Sequence, residues 1–279
     1  MLAGGTDVSL AALCRILGVA RSTTYYRPVE NDAPPRIDEV LAARIRTTID
    51  EFPTAGIRGV WSRLRFRQGI RVTLKKVARI MRLKGWTVTA RNKGSRPRVK
   101  GKRSRTSTPN VRWATDFGRV FCGKDGWCAF APVIDCCTRQ VLGWALARTQ
   151  KTKTAEMALE EALFTRFGHL KAPAPLALRS DNGLVFASRS YQALARSYGL
   201  TQEFIAPYTP EQNGLCERFI KTFKEECAWL NNFKSIDEAH DVIASFIGYY
   251  NSERPHQALN YETPNQHNQK HLNQCKLTA

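Results

Sequence analysis

The chain has 279 residues, 43% of them hydrophobic, and a formal net charge of +19. It is therefore long enough for about two domains, too apolar for a disordered or fibrous protein, and basic enough to bind a polyanion. No segment approaches the roughly 18 apolar residues of a membrane span, and we see no export-signal pattern. Eight scattered cysteines without a Cys-x-x-Cys pair favour reduced thiols, so we expect a cytoplasmic protein.

The positive charge is concentrated at the front of the chain. Residues 1–110 hold 24 basic and 7 acidic residues, a net charge of +17, whereas residues 111–279 carry only +2. Within the front part, residues 91–110 are basic, lack acidic residues and contain Gly and Pro, which predicts a basic linker. We therefore expect nucleic-acid binding in the front part and a nearly neutral globular domain behind it.

The first predicted elements, in residues 1–37, form a helix-turn-helix-like segment. Ser9 is placed to cap a helix with one apolar face, and Gly18 ends that helix. A second short helix is predicted to begin at Ser22 and to carry polar residues first. We expect Arg21, at the start of this second helix, to contact DNA.

A second helix-turn-helix-like domain is predicted over residues 38–90. Its helices are expected at 39–51, 56–66 and 73–83, and Thr73 is the predicted N-cap of the last one. This last helix is basic and amphipathic, as expected of a helix that lies against DNA. Its predicted DNA-binding residues are Lys75, Lys76 and Arg79.

Residues 111–265 predict an α/β domain with a mixed five-stranded sheet and flanking helices. Three antiparallel strands come first and are followed by a helix, after which short strands alternate with helices. Residues 266–279 are expected to be a polar tail. The predicted strands are 113–121, 127–134, 140–147, 176–178 and 202–206, and the predicted helices are 154–167, 190–198, 212–230 and 236–250.

Three acidic residues stand out by position in this domain. Asp116 is predicted in the middle of the first strand, where an unpaired carboxylate is costly unless it binds a cation. Asp181 follows the fourth strand, where the Asn-Gly pair behind it allows a sharp turn. Glu217 lies early in the long helix, which we expect to begin near Pro210 because residues 209–212 have capping-box spacing.

The surrounding motifs resemble the DDE catalytic core of insertion-sequence transposases and retroviral integrases. They are RWATDF around Asp116, LRSDNGLVF around Asp181, and PYTPEQNGLCERFIKTFKEE around Glu217, with 35 residues between the second and third carboxylates. The tail YYNSERPHQALNYETP, residues 249–264, also resembles the closing signature of this family. The match is close to the second-reading-frame (OrfB) transposases, and it implies a ribonuclease-H-like integrase core.

The resemblance implies metal-dependent cleavage and joining of DNA strands. Asp116, Asp181 and Glu217 would be both the catalytic residues and the ligands of Mg²⁺ or Mn²⁺, with two ions expected. Lys221 and Lys224 would contact DNA near the site. The implied partners are the element's terminal repeats, target DNA, further copies of the chain on DNA, and an upstream-frame (OrfA) product or fusion. A bacterial, nucleoid-associated location when bound to DNA follows.

Three further interpretations concern the chain as a whole, one more carboxylate and a pair of histidines. The alternative to a transposase is a catalytically inactive DNA-binding protein from a decayed element, in which only the helix-turn-helix units function. Asp135, a further strand-associated carboxylate, is interpreted as organising a turn toward Arg139 and not as a metal ligand. His267 and His271 have i, i+4 ligand spacing, but we expect them to be exposed because no third ligand is evident.

Overall fold

A computed structural model describes residues 9–27, 36–87, 106–206, 209 and 212–278. The chain divides into two compact units, with the boundary between Glu39 and Val40. None of the helices in the described ranges is both long and apolar enough to cross a membrane. The predicted basic linker at 91–110 lies mostly outside the described residues.

The first unit contains two short helices joined by a tight turn. Helix α1 spans Leu10–Ile16 and begins as predicted, because the Ser9 hydroxyl accepts a hydrogen bond from the amide of Ala12. Gly18 follows it with a φ of 63°, the left-handed conformation that favours glycine. Helix α2 spans Arg21–Thr24, so the prediction that it begins at Ser22 is wrong: the Thr23 amide already bonds the carbonyl of Ala20.

Three helices form the front of the second unit. Thr73 caps the third of them through the amide of Lys76, as predicted, and the Trp61 indole donates to the carbonyl of Val72 at 2.9 Å. That bond ties the turn before the third helix to the second helix. The helices are α3 (Glu39–Glu51), α4 (Ile57–Ser62, extended by a π-helical turn at Arg63–Arg67) and α5 (Leu74–Leu83).

The rest of the second unit is built on one mixed sheet. Strand β3 pairs antiparallel with β1 and β2 on one side and with β4 on the other, which confirms the predicted antiparallel start. Strands β1, β5 and β6 are parallel to one another. The strands are β1 (Arg112–Thr115), β2 (Gly118–Phe121), β3 (Trp127–Asp135), β4 (Val141–Ala147), β5 (Leu176–Ser180) and β6 (Leu200–Phe204).

The sheet has six strands where five were predicted. The predicted strand 113–121 is interrupted at Asp116 and Phe117, so it forms both β1 and β2. The cause is local: the amide of Phe117 donates to Asp116 Oδ1 at 2.7 Å. Asp116 therefore lies immediately after β1, and the prediction that it lies within a strand is wrong.

Helices cover both faces of the sheet. Helices α6 and α7 pack on one face, and α8 and α9 pack on the other, each around its own apolar core. Gly143 permits the close approach of α6, since a Cβ at this position would lie 2.4 Å from the carbonyl oxygen of Ala158. The helices are α6 (Thr152–Phe167), α7 (Arg189–Ser197), α8 (Gly214–Phe223, extended by a π-helical turn at Lys224–Ala228), α9 (Ile236–Ser252) and α10 (Pro264–Thr278).

The α3–α5 helices pack against the end of α9 through aromatic and arginine side chains. Phe52 stacks on Tyr249 with 5.8 Å between ring centroids, and Arg63 lies over Phe52 and donates to the Tyr249 hydroxyl. Beyond α9, Trp61 and Phe66 both contact the ring of Tyr261. The tail segment 249–264 therefore supplies the surface on which the helical part rests.

Candidate active site

Asp116 and Asp181 lie at the ends of two neighbouring parallel strands. β1 and β5 pair with Ala114 opposite Arg179. Continued by two residues, this register sets Asp116 opposite Asp181, each one residue beyond its strand. The carboxyl ends of parallel strands in an open sheet are where α/β proteins place their ligands.

A tight turn holds the Asp181 side chain. Its Oδ1 accepts a hydrogen bond from the amide of Gly183 at 3.0 Å. A Cβ on Gly183 would lie 2.9 Å from the same oxygen, so glycine allows this close approach. The side-chain amide of Asn182 donates to the backbone carbonyl of Ile205, which connects the turn to the end of β6.

Glu217 is positioned by the start of α8. The helix begins at Gly214, so the expectation that it begins near Pro210 is not met, although Pro210 and Glu211 themselves lie outside the described residues. The buried Asn213 side chain donates to the carbonyl of Thr115 at 3.2 Å. This bond attaches the first turn of α8, which carries Glu217, to the last residue of β1 before Asp116.

The preceding residue, Gln212, anchors the loop to the sheet and explains the late helix start. Its side-chain oxygen accepts from the amide of Ala206, and its carbonyl accepts from Arg179 Nη1 at 3.1 Å. Arg179 is in turn held by Glu203, which also pairs with Arg112 at 2.7 Å. These hydrogen bonds from arginine hold the pKa of Glu203 below its usual value.

The three carboxylates influence one another electrostatically. Burial, together with the charges of Asp181 and Glu217, raises the pKa of Asp116 to about 6, while the Phe117 amide and Lys224 oppose the shift. The carboxylate oxygen atoms do not all lie within 4.8 Å of one another, as the ligands of a single ion would. In the described part of the chain, the only three possible ligands that lie this close together are Cys137, His267 and His271. Clustered like charges without a cation repel.

The donor set fits a hard divalent cation. All three groups are carboxylates, the ligands that Mg²⁺ prefers, and Mg²⁺ keeps several waters, so few protein ligands suffice. In Asp116 and Asp181, Oδ1 accepts a backbone hydrogen bond, which orients the carboxylate and leaves Oδ2 for a cation.

The two lysines predicted near the site differ in their surroundings. Lys224 is close enough to Asp116 to lower its pKa and lies at the start of the π-helical turn. Lys221 pairs with Glu225 at 3.5 Å, one turn further along the same helix. Contact of either lysine with DNA stays a prediction.

The basic residues predicted to bind DNA in the front part are all exposed. Lys75, Lys76 and Arg79 lie on the outer side of α5, whose opposite side is buried, and Arg21 is exposed at the start of α2. This accessibility suits contact with phosphates, and the contacts themselves stay predictions.

The structure supports one of the two alternative residue interpretations and overturns the other. Asp135 is buried, and its carboxylate accepts hydrogen bonds from the amides of Asn110, Cys137 and Thr138, so it organises the turn as interpreted. His267 and His271 are half-buried and not exposed, and Cys137 Sγ lies 3.7 Å from His271 Nε2. The turn brings Cys137 near α10. The spacing of residues in the sequence does not predict this contact, because the two segments are far apart in the chain.

Asn213, Arg179 and Gln212 were missed as positioning residues. The i, i+4 placement of Asn213 and Glu217 on one helix face was visible in the sequence, but the bond from Asn213 to β1 was not.

The sequence matches known families over most of its length. Residues 36–94 match a family described as HTH-like domain, and residues 106–210 and 198–264 match two families described as Integrase core domain. The matches to the integrase core include all three carboxylates.

The chain is also similar to curated proteins and to a solved structure. The chain is 29% identical to "Transposase InsD for insertion element IS2A/D/F/H/I/K" from Escherichia coli, with 96% of this chain and 92% of the relative covered. Transposase InsD for insertion element IS2-9 of strain K12 is similar at 29% identity, covering 96% and 91%. The HTLV-2 integrase catalytic core domain in complex with magnesium aligns at 19% identity and a TM-score of 0.44, covering 58% of this chain and 98% of that one.

Proposed function

We propose that this chain, a homologue of insertion-sequence transposases with an integrase core behind an HTH-like domain, cuts and joins DNA at the ends of an insertion sequence with divalent metal held by Asp116, Asp181 and Glu217. The observation that carries the proposal is that Asp116 and Asp181 follow neighbouring parallel strands, and that the charges of Asp181 and of Glu217 on α8 both raise the pKa of Asp116.

Each carboxylate has a role that follows from its position. Asp116, which feels the charges of the other two carboxylates, would be a ligand common to the bound metal, and Asp181 and Glu217 would supply the remaining carboxylate ligands. Divalent ions bound there supply activation of the attacking oxygen and stabilisation of the leaving oxygen in an in-line displacement. Lys224, whose charge lowers the pKa of Asp116, would hold a phosphate of the DNA strand. The attacking groups are first water and then the freed 3′-hydroxyl, so no covalent bond to the protein is needed.

DNA binding is assigned to the front part. The exposed Lys75, Lys76 and Arg79 place three positive charges on one side of α5, which suits a helix lying in the major groove. We also propose that several copies of the chain assemble on the terminal repeats and target DNA in the cytoplasm of a bacterial cell, together with an upstream-frame product or as a fusion to it.

A strand-transfer assay tests the proposal. The substrate is a plasmid carrying the element's own ends, taken from the DNA that flanks its coding sequence, incubated with Mg²⁺. Asp116→Asn, Asp181→Asn and Glu217→Gln should each abolish cleavage and joining while DNA affinity stays within about threefold, because phosphate contacts dominate affinity.

Glu225→Gln is the matched control, since it neutralises an exposed glutamate two turns along the same helix and should keep activity. Strand transfer by Glu217→Gln would contradict the mechanism. DNA binding by a wild-type chain that never cleaves would favour the inactive DNA-binding protein of a decayed element.

A further inference from the structure

A second cluster of possible ligands lies away from the three carboxylates. Cys137 follows β3 in the turn that Asp135 organises, and His267 and His271 lie one turn apart on α10. Cys137 Sγ and one ring nitrogen of each histidine lie within 4.8 Å of one another. Nitrogen and sulfur donors favour a borderline or soft ion, in contrast to the oxygen donors of the active site.

The spacing of the donor atoms suits tetrahedral coordination. Zn²⁺ bonds of about 2.3 Å to sulfur and about 2.0 Å to nitrogen place these atoms about 3.6 Å apart. The observed distance from Cys137 Sγ to His271 Nε2 is 3.7 Å. The rings of His267 and His271 meet edge to face, with centroids 5.0 Å apart, and one nitrogen of His267 lies within 4.8 Å of the other two donor atoms.

The surroundings orient two of the three donors. Glu262 Oε2 lies 3.1 Å from His267 Nδ1, and Glu262 also pairs with Lys270. A carboxylate on Nδ1 fixes the tautomer in which Nε2 carries the lone pair, the usual arrangement behind a metal-binding histidine. On the other side, the amide of Cys137 donates to the buried carboxylate of Asp135 at 2.8 Å, which fixes the backbone that carries the thiol.

We propose that Cys137, His267 and His271 bind one Zn²⁺ ion that fastens α10 to the turn after β3. Water completes the tetrahedron, and the Cys137 thiol loses its proton to solvent when the metal–sulfur bond forms. The proposed role of the site is to stabilise the packing of α10, with water in place of a fourth protein ligand. It does not depend on the proposed transposase activity, because none of its ligands belongs to the carboxylate site.

Metal titration of the full-length chain tests the site. After treatment with a chelator, the protein is titrated with Co²⁺, whose bond to a thiolate gives a charge-transfer absorption band that carboxylate ligands do not give. Zn²⁺ is then added in competition with a chromophoric chelator. We expect one Co²⁺ with a thiolate band per wild-type chain, and its displacement by one Zn²⁺.

Variants assign the ligands. Cys137→Ser and His271→Ala should lose the thiolate band, and Glu262→Gln should weaken Zn²⁺ binding about tenfold, as expected for a group behind a ligand. Cys14→Ser and His240→Ala are the matched controls and should bind as the wild type does. Asp116→Asn should also keep the band, which separates this site from the active site.

Melting curves provide a second measurement that does not depend on cysteine chemistry. In an Asp116→Asn background, which removes a ligand of the carboxylate site, Zn²⁺ should raise the melting temperature, and it should not do so when His271→Ala is added. His271→Ala is a change at a half-buried helix position that the fold should tolerate. A thiolate band that persists in Cys137→Ser, or a wild type that binds no Zn²⁺, would overturn the proposal.

Discussion

Asp116 is held where its charged form is disfavoured. Burial is the main cause and the neighbouring Asp181 and Glu217 charges add to it, so its pKa is raised to about 6. A carboxyl group with a raised pKa costs stability above that pKa and costs nothing below its unfolded value near 4. The metal-free protein is therefore under electrostatic strain at neutral pH that a cation would relieve.

We predict that Asp116→Asn stabilises the metal-free protein while abolishing catalysis. Asparagine keeps an oxygen for the Phe117 amide and removes the charge, so the free energy of unfolding at pH 8 should rise by about 1–3 kcal/mol. The gain should shrink as the pH falls toward 4. Chemical denaturation with a chelator present measures it, and Asp241→Asn, at an exposed position on α9, should change nothing. A destabilised Asp116→Asn would contradict the argument.

The contribution of His256 to stability changes with pH in the opposite direction to that of Asp116. Burial, helped by the Arg254 charge, lowers its pKa to about 3. A histidine with a lowered pKa stabilises the fold above its unfolded pKa near 6.5, and this contribution is lost as the pH falls toward 3.

We predict that His256→Asn removes part of the acid sensitivity. At pH 5, wild-type His256 should cost about 2 kcal/mol of stability relative to pH 7, and the variant should lose that much less. Denaturation curves at both pH values measure the difference. The exposed His240→Asn control should keep the wild-type pH dependence, and equal slopes in wild type and His256→Asn would refute the assignment.

At the level of elements, α8 is attached to the sheet by a few polar bonds at its beginning. Asn213 bonds the end of β1, and Arg179 bonds the carbonyl of Gln212. Further along, Arg254 donates two hydrogen bonds of 2.6 and 2.7 Å to the Glu226 carboxylate. These bonds connect the π-helical turn after α8 to the segment after α9. The helix that carries Glu217 is thus held at both ends.

We predict that Asn213→Ala lowers the rate of strand cleavage about 10- to 100-fold, because a small displacement of a catalytic group is costly. Stability should fall by only about 1–3 kcal/mol, the cost of an unsatisfied Thr115 carbonyl, and DNA affinity should not change. Asn231→Ala, which removes an asparagine bond to Cys227 at the far end of the same helix, is the control. Wild-type cleavage rates in Asn213→Ala would show that this bond does not position Glu217.

Much of the fold could be predicted from local pattern. Alternating strands, the Thr73 cap and the amphipathic helices depend on neighbours in sequence, and the expected integrase-type sheet with flanking helices is confirmed. The division of the first predicted strand into β1 and β2 was not predicted. It arises because the Phe117 amide donates to the Asp116 side chain and not to a neighbouring strand. The contact of Arg63 with Tyr249, 186 positions apart, and that of Cys137 with His271 depend on how distant elements pack, which periodicity does not encode.

At the scale of the whole molecule, the positive charge is concentrated in the front part of the chain. The front 110 residues carry +17 and the rest +2, so DNA affinity should depend on the front part and fall steeply with salt. Replacing Lys75, Lys76 and Arg79 by Gln should reduce the slope of log affinity against log salt by about 2 to 3, at about 0.9 per phosphate contact. Filter binding or fluorescence anisotropy over a range of salt concentrations measures the slope.

The control changes exposed arginines of the catalytic part, Arg189 and Arg196 on α7, and should leave the slope nearly unchanged. An equal loss of slope in both variants would mean that DNA contacts are spread over the whole chain and are not concentrated in the front.

The packing of Phe52 and Arg63 on Tyr249 has a geometric consequence for the DNA. Helices α3–α5 pack on the end of α9, and Arg254, just after α9, is bonded to Glu226 in the π-helical turn behind Glu217. These contacts within the protein therefore set the distance between α5 and the three carboxylates. A DNA duplex that contacts both α5 and the carboxylates must span this fixed distance, which corresponds to a fixed number of base pairs. On the proposed function, the cut should therefore fall at a constant number of base pairs from the sequence bound by α5, with no need to recognise the bases at the cut itself.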